Sequence, residues 1–309
     1  LPLTVFRLRD EDQIAVLEMG ISDFGEMARL TKIAKPDTCV ITNIGTCHLE
    51  NLGDRDGVLK AKTEIFQSMK PNGHIVLNGD DDKLITVREY NGVKPVFFGL
   101  NSERDVYADQ IESKGLKGVA CRIHLGEDAF DVLVPTPGIH MVYNALAAAA
   151  VGRIYGLTIE EIRRGIESLE TIRGRFKMIE TDKFLVVDDC YNANPMSMKA
   201  SLDVLHDGEG RRVAILGDMG ELGEDEAALH EGVGIHAATC GIDACVCVGD
   251  LAVHIAEAAR KANPDFPVYY EKTRESLLEH LNDYVQKGDT ILVKASHFMK
   301  FEEVVKALE

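Results

Sequence analysis

The stretch VITNIGTCHLENLGDRDGVLKAKTEIF, from Val40 to Phe66, puts His48 and Glu50 in a loop and Lys62 on the helical segment after it. A β-branched run, Val40, Ile41 and Thr42, stops at Asn43, Ile44 and Gly45, the way a buried parallel strand ends in a loop. In open α/β sheets ligands bind beyond the carboxyl ends of the strands. A histidine there, facing a helix that presents a lysine, is well placed for chemistry. The same spacing also fits a loop histidine that is only solvated or capping, and a lysine that is only a solvated helix charge. Glu18 ends a second apolar run, Gln13 to Leu17, and a carboxylate at the tip of a parallel strand can ligate Mg²⁺. It fits as well as a charge beside a helix start, because Ser22 and Asp23 open a helix whose Met27, Leu30 and Ile33 face a core. Arg175 carries the planar fork that suits phosphate oxygens, although a solvated linker arginine is the plainer reading of it alone.

These side chains need elements to position them. After Gly53 and Gly57 the pattern turns helical, with Val58, Leu59, Ile65 and Phe66 on one face and Lys60, Lys62 and Glu64 among the polar positions. Further strands are expected at Thr38 to Thr42, His74 to Leu77 and Pro95 to Phe98, with alternating runs such as VACRIHL and FDVLV forming antiparallel strands at the sheet margin. GDDD from Gly79 begins a helix with acidic residues in its first turn, which is capping rather than catalysis. Thr136, Pro137 and Gly138 open a long alanine-rich helix in which Asn144 interrupts an apolar face, as a buried amide bonded to backbone would. Thr158 and Glu161 form a capping box for the next helix. The polar, basic segment Ile172 to Lys183 reads as a linker, dividing the chain into domains 1–174 and 175–309. Beyond it, strands at Phe184 to Asp188, Val213 to Leu216, Ala244 to Val248, Val268 to Tyr270 and Thr290 to Val293 alternate with helices, which specifies a Rossmann-like parallel sheet. The glycines of LGDMGELG do not have GxGxxG spacing, and Asn194 before Pro195 is an ordinary helix start.

The chain of 309 residues is 45% hydrophobic and 28% charged, which suits a globular protein of about two domains. With 34 Lys and Arg against 51 Asp and Glu, its net charge of -17 argues against a nucleic-acid-binding surface. Seven cysteines without a CxxC pair suggest neither a disulfide framework nor a zinc site, and a reducing cytoplasm fits. Cys245 and Cys247 alternate in an apolar run and read as buried thiols. No apolar stretch reaches the roughly 18 residues of a membrane span.

Jointly and in order, ITNIGTCHLENLG with KAKTEIF, the EMG motif at Glu18, DDCYNANPMSM from Asp188 and LGDMGELGEDEAALH from Leu216 resemble the Mur ligase family. The resemblance covers nearly all of the chain. It implies an α/β fold, with a central ATPase-type domain of mostly parallel sheet and helices followed by a Rossmann-like C-terminal domain. The implied activity is ATP-dependent amide formation in peptidoglycan precursor synthesis. The terminal carboxylate of UDP-MurNAc-tripeptide takes the γ-phosphoryl group, and the D-Ala-D-Ala amine attacks the acyl phosphate. The resemblance assigns Glu18 to the Mg²⁺ between the ATP phosphates, and His48 and a carbamylated Lys62 to a second Mg²⁺. A free ammonium would repel that ion, whereas a carbamate gives it the hard oxygen ligand it prefers. Arg175 would reach the γ-phosphate, so that Lys62, His48 and Arg175 carry catalysis. Asn144 would contact adenine, Asp189 would lie near the ribose, and Asn43 would belong to the nucleotide site. Tyr191, Asn192 and Asn194 would line the substrate cleft. VKASHFMKFEEVV departs from the family's VKGSR pattern, with Ala295 for Gly and His297 for Arg, which leaves substrate contact from that loop open. The family carries a GxxxxGK[ST] phosphate loop upstream of its LPLT-type segment, so this chain, starting at Leu1, is expected to lack its natural N-terminus. The expected partners are the two small-molecule substrates, without nucleic acid or membrane insertion, for a cytoplasmic monomer. The competing readings are an inactive fragment, another Mur-type ligase such as a folylpolyglutamate-synthetase-like enzyme, and a nicotinamide oxidoreductase built on the C-terminal sheet.

Overall fold

The computed structural model describes residues 1–46 and 49–309; Cys47 and the candidate ligand His48 lie outside the described residues. The chain divides into two compact units, one comprising Leu1–Ile111, Cys121–Val132 and Val142–Ile166, the other Glu112–Ala120, Leu133–Met141 and Glu167–Glu309. Six strands follow one another in space as they do in sequence: β1 (Thr38–Ile41), β2 (His74–Asn78), β3 (Val96–Gly99), β4 (Val106–Ser113), β5 (Val119–Leu125) and β6 (Asp128–Val134). The first four pair in parallel. Only Gly126 and Glu127 join β5 to β6, a connection too short for anything but an antiparallel pair.

The helix Arg55–Thr63 is capped by Asp54, which accepts from Gly57 N, and it buries Val58 and Ala61. A 3₁₀ turn, Glu64–Ser68, carries Ile65 and Phe66 into the same core. Four expectations change. Gln13 to Leu17 is not a strand: no ladder includes it, and Ile14 and Val16 are 64% and 93% exposed. Alternating apolar residues make a strand only when a neighbour supplies hydrogen bonds, and β1 is the edge of its sheet. The following helix begins at Glu26 rather than at Ser22, because Glu26 takes the Ser22 and Asp23 amides and Glu64 takes those of Gly25 and Ala28; its Ile33 is exposed. GDDD leads only to a 3₁₀ turn, Leu84–Thr86, although its capping role stands: Asp81 accepts from Lys83 N and Leu84 N, both at 2.9 Å. A third of the expected linker is a strand, β7 (Lys177–Glu180).

That strand is the antiparallel edge of a second sheet with β8 (Leu185–Asp188), β9 (Arg212–Gly217), β10 (Ala244–Val248), β11 (Val268–Glu271) and β12 (Thr290–Lys294). Its order is β11-β10-β9-β12-β8-β7, and every other pairing is parallel. Apolar clusters cover both faces, so β10 and β12 are buried throughout. Cys245 and Cys247 are fully buried, as expected.

The motif from Leu216 to His230 is structural. Asp218 accepts from Leu251 N (3.1 Å) and Ala252 N (2.7 Å), capping the helix Ala252–Ala262. Gly249, at φ 127°, is required there, since a Cβ would come within 2.2 Å of the Asp218 carboxylate. Buried His230 accepts from Met219 N at Nε2 (2.9 Å) and so donates from Nδ1 to Glu226 O (2.7 Å). Burial lowers its pKa below 6.5. The unfolded chain therefore takes up this proton first as pH falls, and stability present above pH 6.5 is lost below it, by at most about 1.4 kcal/mol per pH unit. In urea unfolding above and below that pH, the His230→Gln protein should show less acid destabilisation than the unsubstituted chain.

Candidate active site

In the first unit the loop after β1 is held by its backbone. Lys62 Nζ donates to Asn43 O at 2.9 Å, Asp81 Oδ2 accepts from Ile44 N at 2.8 Å, and Arg55 Nε donates to Ile44 O at 3.0 Å. Arg55 is itself gripped by Asp82 at 3.0 and 2.5 Å, a bond that raises the guanidinium pKa further. Asn78 Nδ2 donates to Thr42 O at 3.0 Å from β2. Three successive residues are thus pinned just where the sheet's strands end, and the sequence had singled out only Asn43 and Lys62 among these groups. Glu18 is exposed in the coil before the Glu26–Ala34 helix. Asn144 is exposed on the helix Ile139–Ile154, so the buried-amide reading does not hold. Among the described residues no group of three His, Cys, Asp or Glu side chains could hold a metal. The donor chemistry is nevertheless of the right kind: Glu18 offers hard carboxylate oxygens, and Lys62, which as an ammonium can only donate, would offer oxygens as a carbamate.

The second unit carries a denser constellation at the carboxyl ends of β8, β9 and β12, neighbours at the point where strand order reverses. Lys294 ends β12 with its side chain only 3% exposed, and its Nζ meets Asp189 Oδ2 at 2.6 Å and Asn192 O at 3.1 Å. Asp189 also accepts from Ser201 Oγ (2.7 Å) and Phe176 N (3.2 Å). Asp188 accepts from Gly174 N (2.9 Å), and Tyr191 N donates to Gly174 O (3.0 Å). These bonds zip Gly174–Phe176 against Asp188–Tyr191. The Arg175 guanidinium then lies 4.1 Å from the centre of the Tyr191 ring, and the His297 ring meets that of Tyr191 in a T-shaped contact with centroids 5.5 Å apart. Ser296 Oγ accepts from Gly220 N (2.9 Å) and donates to Ala193 O (3.4 Å). Asn194 caps the helix Pro195–His206 in a capping box with Ser197, and Asn192 Oδ1 accepts from Ala193 N at 2.8 Å.

The structure therefore brings Arg175, Asp189, Tyr191 and Asn192 together with Lys294 and Ser296, which the sequence reading passed over. A lysine closing the otherwise apolar strand TILVK was the available signal, because a buried ammonium demands a partner. Ala295 is buried opposite Gly217, whose missing side chain leaves room for its methyl group. Removing one member of a buried ion pair strands the other. Lys294→Met is thus expected to lose about 3–5 kcal/mol in urea unfolding, and Lys294→Met/Asp189→Leu less than the sum of the two single changes.

Comparisons with known proteins agree with this architecture. Residues 1–152 match the Mur ligase middle domain and residues 174–297 the Mur ligase glutamate ligase domain. The whole chain is 37% identical to the UDP-N-acetylmuramoyl-tripeptide–D-alanyl-D-alanine ligase of Bacillus subtilis (strain 168), covering 67% of that protein. It is 35% identical to the enzyme of the same name from Escherichia coli (strain K12), again over the whole chain and 68% of the relative. Among solved structures, MurF from Acinetobacter baumannii superposes with a TM-score of 0.90 at 33% identity, over 99% of this chain and 67% of that one. MurF from Thermotoga maritima in complex with ADP gives 0.84 at 28% identity, over 99% of this chain and 69% of that one. With both domain models matched in order and this identity sustained end to end, the chain belongs to the Mur ligase family.

Proposed function

We propose that the chain performs ATP-dependent amide formation, adding D-Ala-D-Ala to UDP-MurNAc-tripeptide through an acyl phosphate in peptidoglycan precursor synthesis. The observation that carries this reading is end-to-end kinship with ligases named for that reaction, together with the Asp188–Pro195 loop built into the crevice where β8, β9 and β12 end. The electrostatic problem is plain: a carboxylate and a triphosphate repel one another, and the chain itself carries a charge of -17. Fixed cations must offset that repulsion.

The residue roles are part of the proposal, as is a division of labour at residues 174 and 175. In 1–174, Glu18, His48 and carbamylated Lys62 would hold Mg²⁺, whose charge would offset that of the phosphates. Asn43 and Asn144 would serve the nucleotide. In 175–309, Arg175 would brace the transferred phosphoryl group with its fixed fork. Tyr191 and Asn192 are exposed and open to substrate, whereas Asn194 holds the start of its helix and Asp189 orders the loop beside the ribose. Among the described residues no helix is long and apolar enough to cross a membrane. A cytoplasmic monomer acting on these small molecules completes the reading.

ADP release should require ATP, the tripeptide nucleotide and D-Ala-D-Ala together, measured on these 309 residues and on the full gene-encoded polypeptide. Arg175→Ala should lower kcat about 10²–10³-fold. ADP release by the full polypeptide that ignores the amine would overturn the assignment. Intact-mass spectrometry under bicarbonate should find one CO₂ added at Lys62, and Lys62→Arg should abolish both the addition and turnover.

A further inference from the structure

We propose that Tyr191 is a positioning residue for Arg175, its ring serving as the platform that fixes the guanidinium, with His297 bracing the ring edge. The inference rests on the assignment of Arg175 to the transferred phosphoryl group and gives Tyr191 a role other than substrate contact. Three observations carry it. The guanidinium carbon lies 4.1 Å from the ring centroid, within the range of a cation–π contact. The backbone is tied without either side chain, since Gly174, the residue before Arg175, accepts from Tyr191 N at 3.0 Å and donates from its own N to Asp188 Oδ2 at 2.9 Å. The φ angles of Gly174 and Phe176 are 75° and 53°, so two left-handed residues flank Arg175 and turn the segment onto the loop.

An arginine that meets phosphate oxygens from a linker must be ordered before the ligand arrives, or ordering it subtracts from binding. Stacking on a ring satisfies one face of the guanidinium while leaving its N–H donors in the plane, available to oxygens. His297 touches the ring at 5.5 Å with an interplanar angle of 65°, an edge contact that limits rotation of the phenol. An arginine at position 297 would instead place a like charge beside Arg175.

Two measurements on the folded chain test the proposal. In NMR spectra the Arg175 Nε–H signal should lie upfield through the ring current of Tyr191, keep that shift in Tyr191→Phe and lose it in Tyr191→Leu. Retention of the shift in Tyr191→Leu would overturn the platform. By calorimetry, Arg175→Ala should reduce the preference for ATP over ADP roughly tenfold or more. Tyr191→Leu should reduce it about two- to fivefold, His297→Leu less, and Tyr191→Leu should add nothing in the Arg175→Ala background. Additive losses would show that Tyr191 acts on the ligand directly and overturn the inference. An Arg175→Ala protein with an unchanged preference would instead sink the phosphoryl assignment, leaving the ring-current result to decide the platform.

Discussion

A buried ammonium at the end of an apolar strand has to be answered by a negative charge, and in this protein Lys294 is answered by Asp189 across 2.6 Å. The pair sits between β12 and the loop after β8, strands that lie side by side in the sheet. Because Lys294 also takes the carbonyl of Asn192, the loop cannot slide along the strand without leaving a charge uncompensated. The second carboxylate oxygen of Asp189 holds Phe176 N, which carries the constraint to the segment bearing Arg175. The ion pair is thus the common support of a loop, a helix start and a linker. Its contribution is the conformation it specifies, since a buried pair of charges gains little net energy over apolar packing.

The first unit solves a similar problem with other means. There the groups that arrest the loop after β1 bind main-chain atoms, with Lys62, Asp81, Arg55 and Asn78 each taking one amide or carbonyl. Backbone pins hold the path of a loop and leave its side chains free to serve a ligand. Asp81 does this while capping its own turn, so an acidic run that offers ordinary capping also orders the place where chemistry is proposed.

The glycine-rich segment after β9 is easily mistaken for a dinucleotide cradle. A pyrophosphate site needs backbone N–H groups aimed outward. Here Met219 N is given to His230 and Gly220 N to Ser296, while Gly217 is small because Ala295 and Phe301 lie against it. The amides and the space that a nicotinamide cofactor would use are committed to the fold.

What the amino-acid order settles alone is what a few neighbouring residues settle. The strands β1 to β3 and β8 to β12, the Thr158–Glu161 and Asn194–Ser197 boxes and the buried thiols of β10 follow from local periodicity and capping chemistry, whereas β4, in a stretch read as antiparallel, pairs in parallel with β3. Gln13 to Leu17 has the right pattern yet forms no strand, because pattern supplies one side of a ladder and tertiary structure must supply the other. Likewise β7 looks like linker until β8 offers an edge. Lys294 and Asp189 are 105 residues apart, and although the apolar strand TILVK signals that its lysine needs a partner, nothing local names Asp189 as that partner. Strand order decides that, because the free energy of a buried charge depends on whatever the topology brings next to it.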